Sequence, residues 1–363
     1  MFAFLTRRVL QPPAFGLDIS DLSVKFVRLL WQGDRLMPLY FGETAVPAGV
    51  VESGEVKKPS ELVAILRDGL CTAGGRKITE RYCVASLPEE KSFVRMIQLP
   101  AMKAEDVPRA IRWEVEGVVP LPFDQIYFDY EEVPAATRAA PDRHDVFMTA
   151  FPRSLIESYQ HVLREAGFVT PALELESQAI SRAIVGGDLV GRPLIVVDLG
   201  ATRTSFIIVA ERSIVFTKSS AIGGKDFEAA IATALGVSLQ EARQIKVDAG
   251  LNKNYENGRV FECLAPVVRA ITAELEQQLV FYRDHPFPGG DTAPEIERIV
   301  LSGGDANLIG LEKFIAVTIK RPTTLGDPFV NLRFPPGTVP SIPRNISQKY
   351  TTAIGLALRA AGL

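Results

Sequence analysis

The chain has little cysteine, little histidine and almost no net charge, and each shortage removes a class of function. Its three cysteines, Cys71, Cys83 and Cys263, stand apart in apolar surroundings. They read as reduced core thiols and not as a disulfide framework. None of His144, His161 and His285 is spaced with cysteine or carboxylate as a metal ligand would be. A formal net charge of -3 gives no general attraction to nucleic acid, so composition supports no DNA or RNA partner. Long apolar runs are missing as well. No segment reaches the uncharged length of a membrane span, and the opening MFAFLTRRVLQPP places its arginines after its apolar residues, the reverse of a signal peptide. Work at a membrane is therefore expected to go through partners.

Several catalytic signatures are lacking too. Gly224-Lys225 is followed by Asp226 and has no leading glycine, so there is no P-loop; no G-x-G-x-x-G follows a strand and no G-x-S-x-G elbow occurs. What remains is 47% hydrophobic and 23% charged residues over 363 positions, the make-up of a water-soluble globular protein long enough for two or more domains.

The stretch Ile195 to Val209, IVVDLGATRTSFIIV, has two β-branched runs that meet across a short polar turn, with Asp198 where the first run ends. Read on its own it is either an ordinary hairpin or a phosphate-holding turn. In the second case small residues let backbone N–H groups near an anion, Thr202 and Thr204 donate, and the acid holds a hydrated Mg²⁺. A second copy, GLDISDLSVKFVRLL, spans residues 16–30; placing Asp18 on Asp198 brings Ile19 onto Leu199, Phe26 onto Phe206 and Val27 onto Ile207. Two such units predict a duplicated fold with its ligand between the halves.

In chain order, the periodicity predicts a three-stranded meander to Val46 and a helix opened by Pro59-Ser60, with Leu62, Ile65, Leu66 and Leu70 on one face and Gly74-Gly75 as its stop. A strand is expected over 81–87. A small β-α-β-β module follows: a strand over 92–99, a helix over 103–118 carrying Ile111, Trp113 and Val115, and strands over 126–133 and 145–151. The helix should end near Val119, before Pro120 and Pro122, and the polar turn PAATRAAPDRHD between the last two strands is expected to be mobile. Beyond it come a helix over 154–166, a strand over 168–175, a short helix holding Glu176 and a glycine-marked linker at 186–191. The second half carries the hairpin, a strand over 213–218, a helix opened by Gly223-Gly224, a helix capped by Ser238, a long helix over 260–283 that ends before a Pro- and Gly-rich loop, and a strand over 296–302. Gly303-Gly304-Asp305 then lets backbone pass close to a flat or charged group. Helices over 308–318 and 354–361 complete the chain.

Two acid-tipped hairpins and a late glycine pair, together with FGLDISDLSVKFVRL, LPAM, VVPLPF, VVDLGATRTSFIIV and RIVLSGGDANLIGLEKFI, make the chain resemble the type IV pilus assembly PilM family, relatives of FtsA in the actin and Hsp70 ATPase superfamily. The resemblance implies an α/β actin-like ATPase fold, with two lobes built on duplicated ribonuclease-H-like units and an inserted SHS2-like module. Its subdomains would be 1A (1–87, 152–191 and 347–363), 1C (88–151), 2A (192–222 and 295–346) and 2B (223–294). It implies ATP and Mg²⁺ as ligands. Asp18, Ser20, Ser23 and Lys25 would form the first phosphate loop, and Asp198, Gly200, Ala201, Thr202 and Thr204 the second. Asp18 and Asp198 would face the metal, and Glu176 would orient water or Mg²⁺. Lys246, Gly303, Gly304 and Asp305 would surround the nucleoside.

Three positions depart from the family pattern. Ser20-Asp21 replaces Gly and Ser/Thr, bringing a carboxylate that would repel phosphate by about 1 kcal/mol if unpaired. Arg243 stands where a Glu is usual, with Glu241 as a neighbouring substitute. Binding with at most weak hydrolysis is expected. The implied role is a cytoplasmic scaffold that takes the cytoplasmic N-terminal tail of an inner-membrane PilN-like protein in a groove between 1A and 1C, with other pilus ATPases and self-association as further contacts. Other readings are an FtsA-like filament, a type II secretion platform component and a small-molecule kinase.

Overall fold

The computed structural model describes residues 13–103, 105–132, 143–210, 213–285, 294–335 and 337–363. The opening residues 1–12, most of the polar turn at 134–145 and the Pro- and Gly-rich loop at 286–293 lie outside the described residues.

The chain begins with the meander β1 (Ala14–Ile19), β2 (Ser23–Gln32) and β3 (Arg35–Ala45), then a two-rung hairpin of β4 (Val51–Glu52) and β5 (Glu55–Val56), helix α1 (Pro59–Asp68) and β6 (Tyr82–Leu87). The inserted module is β7 (Phe93–Pro100), α2 (Val107–Val118), β8 (Ile126–Glu132) and β9 (Arg143–Pro152). The first lobe resumes with α3 (Arg153–Glu165), β10 (Val169–Leu175) and α4 (Glu176–Ile184). The second lobe holds β11 (Leu194–Leu199), β12 (Thr204–Ala210), β13 (Ser213–Ser220), α5 (Gly224–Leu235), α6 (Leu239–Ala249), α7 (Arg259–Asp284), β14 (Arg298–Ser302), α8 (Leu311–Ile319) and β15 (Thr323–Leu325). After α9 (Arg344–Ser347), helix α10 (Thr351–Ala360) returns to pack on β1 and α4 of the first lobe.

The two main sheets have the same topology. One runs β10-β6-β1-β2-β3 and the other β15-β14-β11-β12-β13. In each, the acid-tipped strand is antiparallel to the strand after it and parallel to its other neighbour. Even the rungs agree: Leu17 pairs with Phe26 and Asp18 with Lys25, as Val197 pairs with Phe206 and Asp198 with Ser205. The alignment of the two hairpins is thus a structural equivalence, and the duplicated actin-like architecture is present. Strand β12 is buried along its whole length, with α4 and α7 both packed on it, which is why Phe206 to Ala210 form a continuous apolar run after Thr204 and Ser205. One hydrophobic core passes through both lobes.

The module has its own sheet, ordered β7-β9-β8 and fully antiparallel, and its own core, in which Ile111 and Val115 of α2 meet Ile97, Val146 and Met148. Trp113 is 72% exposed. It lies two residues from each inward position, on the opposite face of the helix.

Several boundaries differ from expectation. Helix α1 stops at Gly69, well before Gly74-Gly75, because the Thr44 hydroxyl of β3 donates to the Gly69 carbonyl (2.7 Å) and Leu70 turns into the core. Helix α2 starts at Val107 and not at 103, where Pro108 fits the first turn. Helix α8 starts at Leu311 because Gly310, in the left-handed region with φ 82°, forms its N-cap. Cys83 is buried, whereas Cys71 and Cys263 are only half-buried; all three are free. His144, expected in a loop, lies on β9.

Candidate functional site

The hairpin turns of the two lobes face each other. Asp18 is buried at the end of β1, where the Ser86 hydroxyl of the parallel neighbour β6 donates to its Oδ1 (3.1 Å) and also accepts from the Ile19 N–H (3.1 Å). In the other lobe Ser302 of β14 is the rung partner of Asp198. Each acid therefore has a serine beside it on the parallel strand. The signal was in the sequence, as VAS over 84–86 and VLS over 300–302, but it has meaning only once the strands are paired.

Across this crevice the carboxyls act on one another. Burial raises the Asp18 carboxyl above its usual range, opposed chiefly by the Lys25 ammonium at 4.0 Å. Asp198 is pushed up to about 6 by burial and by Asp18, with Ser302 and Lys25 pulling it back. Glu176, the first residue of α4, is raised well above the usual range by burial, then by Asp18, Glu89 and Asp198. Glu89, just past β6, is itself raised by burial, and its Oε2 accepts from the Ser177 N–H (3.2 Å). Four carboxyls against one lysine leave the crevice short of positive charge, the condition under which a divalent cation is held. Among the described residues no three ligand-type side chains converge on one point as a metal cage. A cation here would be held through its water shell and through oxygens of a bound ligand, as Mg²⁺ commonly is.

The remaining loop residues are placed as follows. Ser20 turns back on its own hairpin, its N–H and hydroxyl both donating to the Ser23 carbonyl (2.9 Å each), while the Ser23 hydroxyl accepts from Lys25 (2.7 Å). In the second loop the Gly200 N–H donates to the Arg203 carbonyl, and the carbonyls of Gly200 and Ala201 accept from the Gly224 and Lys225 N–H groups at the start of α5. The loop is thereby seated on that helix. Thr204 is buried, with its hydroxyl donating to the Ile222 carbonyl (2.7 Å). Thr202 Oγ1 instead reaches across to Asp21 Oδ2 (3.3 Å). Asp21, whose carboxylate would repel phosphate if unpaired, is held from both sides: by Arg203 Nη2 at 3.2 Å and by the Gly54 N–H at 3.0 Å.

On the far side, Lys246 is buried and its ammonium is shared between Glu228 Oε1 (2.8 Å) and Asp305 Oδ1 (2.6 Å). Gly303 is in the left-handed region (φ 90°), and a Cβ there would strike the Leu199 backbone at the end of β11. Lys246 and the segment 303–305 are thus brought together, and Glu228 joins them from α5, a residue that no sequence spacing indicated. Arg243 is an exposed side chain whose Nε lies 3.9 Å from Glu228 Oε1, so it pairs with the cluster from its solvent edge. Glu241 does not substitute inside the site either: it is exposed and forms a capping box with Ser238 on its own helix.

A second concavity of about 420 Å³ lies between the module and the first lobe, walled by Tyr127 to Glu131 of β8 and Thr170 to Leu175 of β10, with Gln178 of α4 and Arg359 of α10. Both strands are sheet edges.

Over 201 residues the chain is 22% identical to the cell division protein FtsA of Agrobacterium fabrum, a match over 51% of this chain and 45% of that protein; it thus spans about half the length of the curated relatives it matches. Among solved structures it superposes on the chain described as a PilM-PilN type IV pilus biogenesis complex with a TM-score of 0.79 at 24% identity, covering 97% of this chain and 99% of that one. MreB5 of Spiroplasma citri bound to AMPPNP follows the same fold at a TM-score of 0.57 and 11% identity, over 96% and 95% of the two chains. Residues 16–361 match the family model described as type IV pilus assembly protein PilM, and the chain belongs to that family.

Proposed function

We propose that this protein is a nucleotide-binding scaffold of type IV pilus assembly, positioned at the cytoplasmic face of the inner membrane by capturing the N-terminal tail of a PilN-like protein. The observation that carries the partner half is the groove between β8 and β10. Among the described residues both strands are terminal in their sheets and so offer an edge to an extended peptide, and Tyr127, Phe128 and Tyr130 offer aromatic surface. No helix of the described residues is long and apolar enough to cross a membrane, so contact with one would run through such a partner.

The crevice supplies the nucleotide half. Asp18 and Asp198 would hold Mg²⁺ through its waters, Lys25 would meet phosphate, and Glu176 would orient a water or the metal. Lys246 with Gly303, Gly304 and Asp305 would border the nucleoside. A cation held there would supply the positive charge that the facing carboxyls lack.

The test is titration of a labelled peptide, made from the cytoplasmic tail of the PilN-like partner, against the wild type and Tyr127→Ala. Tyr127 is 41% exposed and lies under the Arg153 guanidinium, 4.0 Å from its ring centroid. Saturable binding at micromolar concentrations is expected, weakened about tenfold by the substitution, as for an aromatic anchor. Absence of saturation in the wild type would remove the partner assignment.

A further inference from the structure

Asp21 is the residue at which this chain departs most in charge from what a phosphate-binding turn needs, and it is also where the lobes touch. It lies in the turn between β1 and β2, its side chain 13% exposed. Its Oδ1 accepts from the Gly54 N–H (3.0 Å), and its Oδ2 accepts from the Thr202 hydroxyl (3.3 Å) and from Arg203 Nη2 (3.2 Å) in the opposing loop. The other terminal nitrogen of Arg203 is paired with Glu90, next to the buried Glu89. A hydroxyl and a guanidinium of one phosphate-type loop are thus both spent on a carboxylate from the other.

Carboxylate and phosphate are alternative partners for such donors, since both present oxygens that a guanidinium grips side by side. We propose that Asp21 is an internal stand-in for a terminal phosphate. It joins the two loops in the absence of a third phosphate, and it makes the site select a nucleoside diphosphate over the triphosphate. This rests on the reading of the crevice as a nucleotide site. A third phosphate arriving between the loops must displace Asp21 from Thr202 and Arg203 and then remain beside its negative charge. A diphosphate leaves those contacts in place. In the free protein Asp21 shares the Arg203 guanidinium with Glu90, so the pair of carboxylates is only partly compensated and the guanidinium carries no spare positive charge for a third phosphate.

The experiment measures ADP and ATP affinities calorimetrically, with Mg²⁺, for the full chain and for Asp21→Ser. The wild type is expected to bind ADP roughly ten- to hundredfold more tightly than ATP, the scale of one partly buried like-charge contact. Asp21→Ser is expected to bring the two within about threefold by improving ATP alone. Asp21→Asn keeps the shape and removes the charge, and serves if the serine variant fails to fold. An ADP-to-ATP ratio equal in wild type and variants overturns the proposal while leaving the nucleotide site standing. No binding of either nucleotide by any variant overturns both. As a nucleotide-free readout, spin labels at the exposed positions 52 and 225 should report a longer or broader interlobe distance in Asp21→Ser than in the wild type, and identical distances count against the proposal.

Discussion

Asp198 carries opposite demands in the free and the loaded protein. Its carboxyl titrates at about 6 in the folded chain against a usual 3.8. Between those values the folded protein holds a proton that the unfolded chain has released, so this contribution to stability falls as pH rises from about 4 to 6 and stays low above. Asp198→Asn removes the buried charge. Urea unfolding of the free protein should show the variant more stable than wild type at pH 7, by at most about 3 kcal/mol, with the difference vanishing near pH 4. The same variant should lose Mg²⁺-dependent nucleotide binding. Equal stabilities at pH 7 would mean that the carboxyl is not under the stress that its surroundings impose. At this scale the sequence was informative about the acids themselves, since Asp18 and Asp198 end strands in matching contexts. It was silent on Ser86, Glu228 and the pairing of Asp21 with Arg203, because each of these depends on which strands and loops become neighbours across 18 to 182 residues.

Among the elements, α10 shows how closely the first lobe is packed. A Cβ at Gly355 would fall inside the Ala179 carbonyl of α4, so the two helices touch backbone to backbone. Gly355→Ala should destabilise by about 2 kcal/mol or more, since neither backbone has room to give. Gly117, near the end of α2, has nothing within 4 Å of where a Cβ would stand; Gly117→Ala should stabilise by about 0.5–1 kcal/mol through helix propensity alone. Thermal unfolding of the two variants side by side checks both signs. Helices such as α7 and the acid-tipped hairpins were legible because their periodicity runs long enough to be unambiguous. The three-residue β15 and the two-rung β4–β5 hairpin were not, because so short a strand is defined by its partner and carries no pattern of its own. Helix ends moved where a tertiary contact intervened, as Thr44 does at Gly69.

For the whole molecule, the loops meet across a crevice while one core continues through both lobes. A ligand held between the loops should therefore stabilise the protein as a unit. At a nucleotide concentration a hundred times its Kd, calorimetry should show a single transition shifted by about 2.7 kcal/mol of linkage. Two separated transitions, only one of them responding, would mean that the ligand touches a single lobe. The duplication could be seen in advance because both halves repeat the same strand, acid and turn, whereas the way the halves close on each other is written in no local pattern.

The path of the chain also sets an order of assembly. All five strands of the second sheet lie between residues 194 and 325, in one uninterrupted stretch, but the first lobe draws on residues 14–87, 153–184 and finally 351–360. During synthesis from the N-terminus, β1 waits with the face that α10 will cover open to water until residue 360 has been made. The half that is begun first is finished last. A released fragment that ends between residues 325 and 350 should hold a completed second sheet beside a first lobe that is still open to chaperones and proteases.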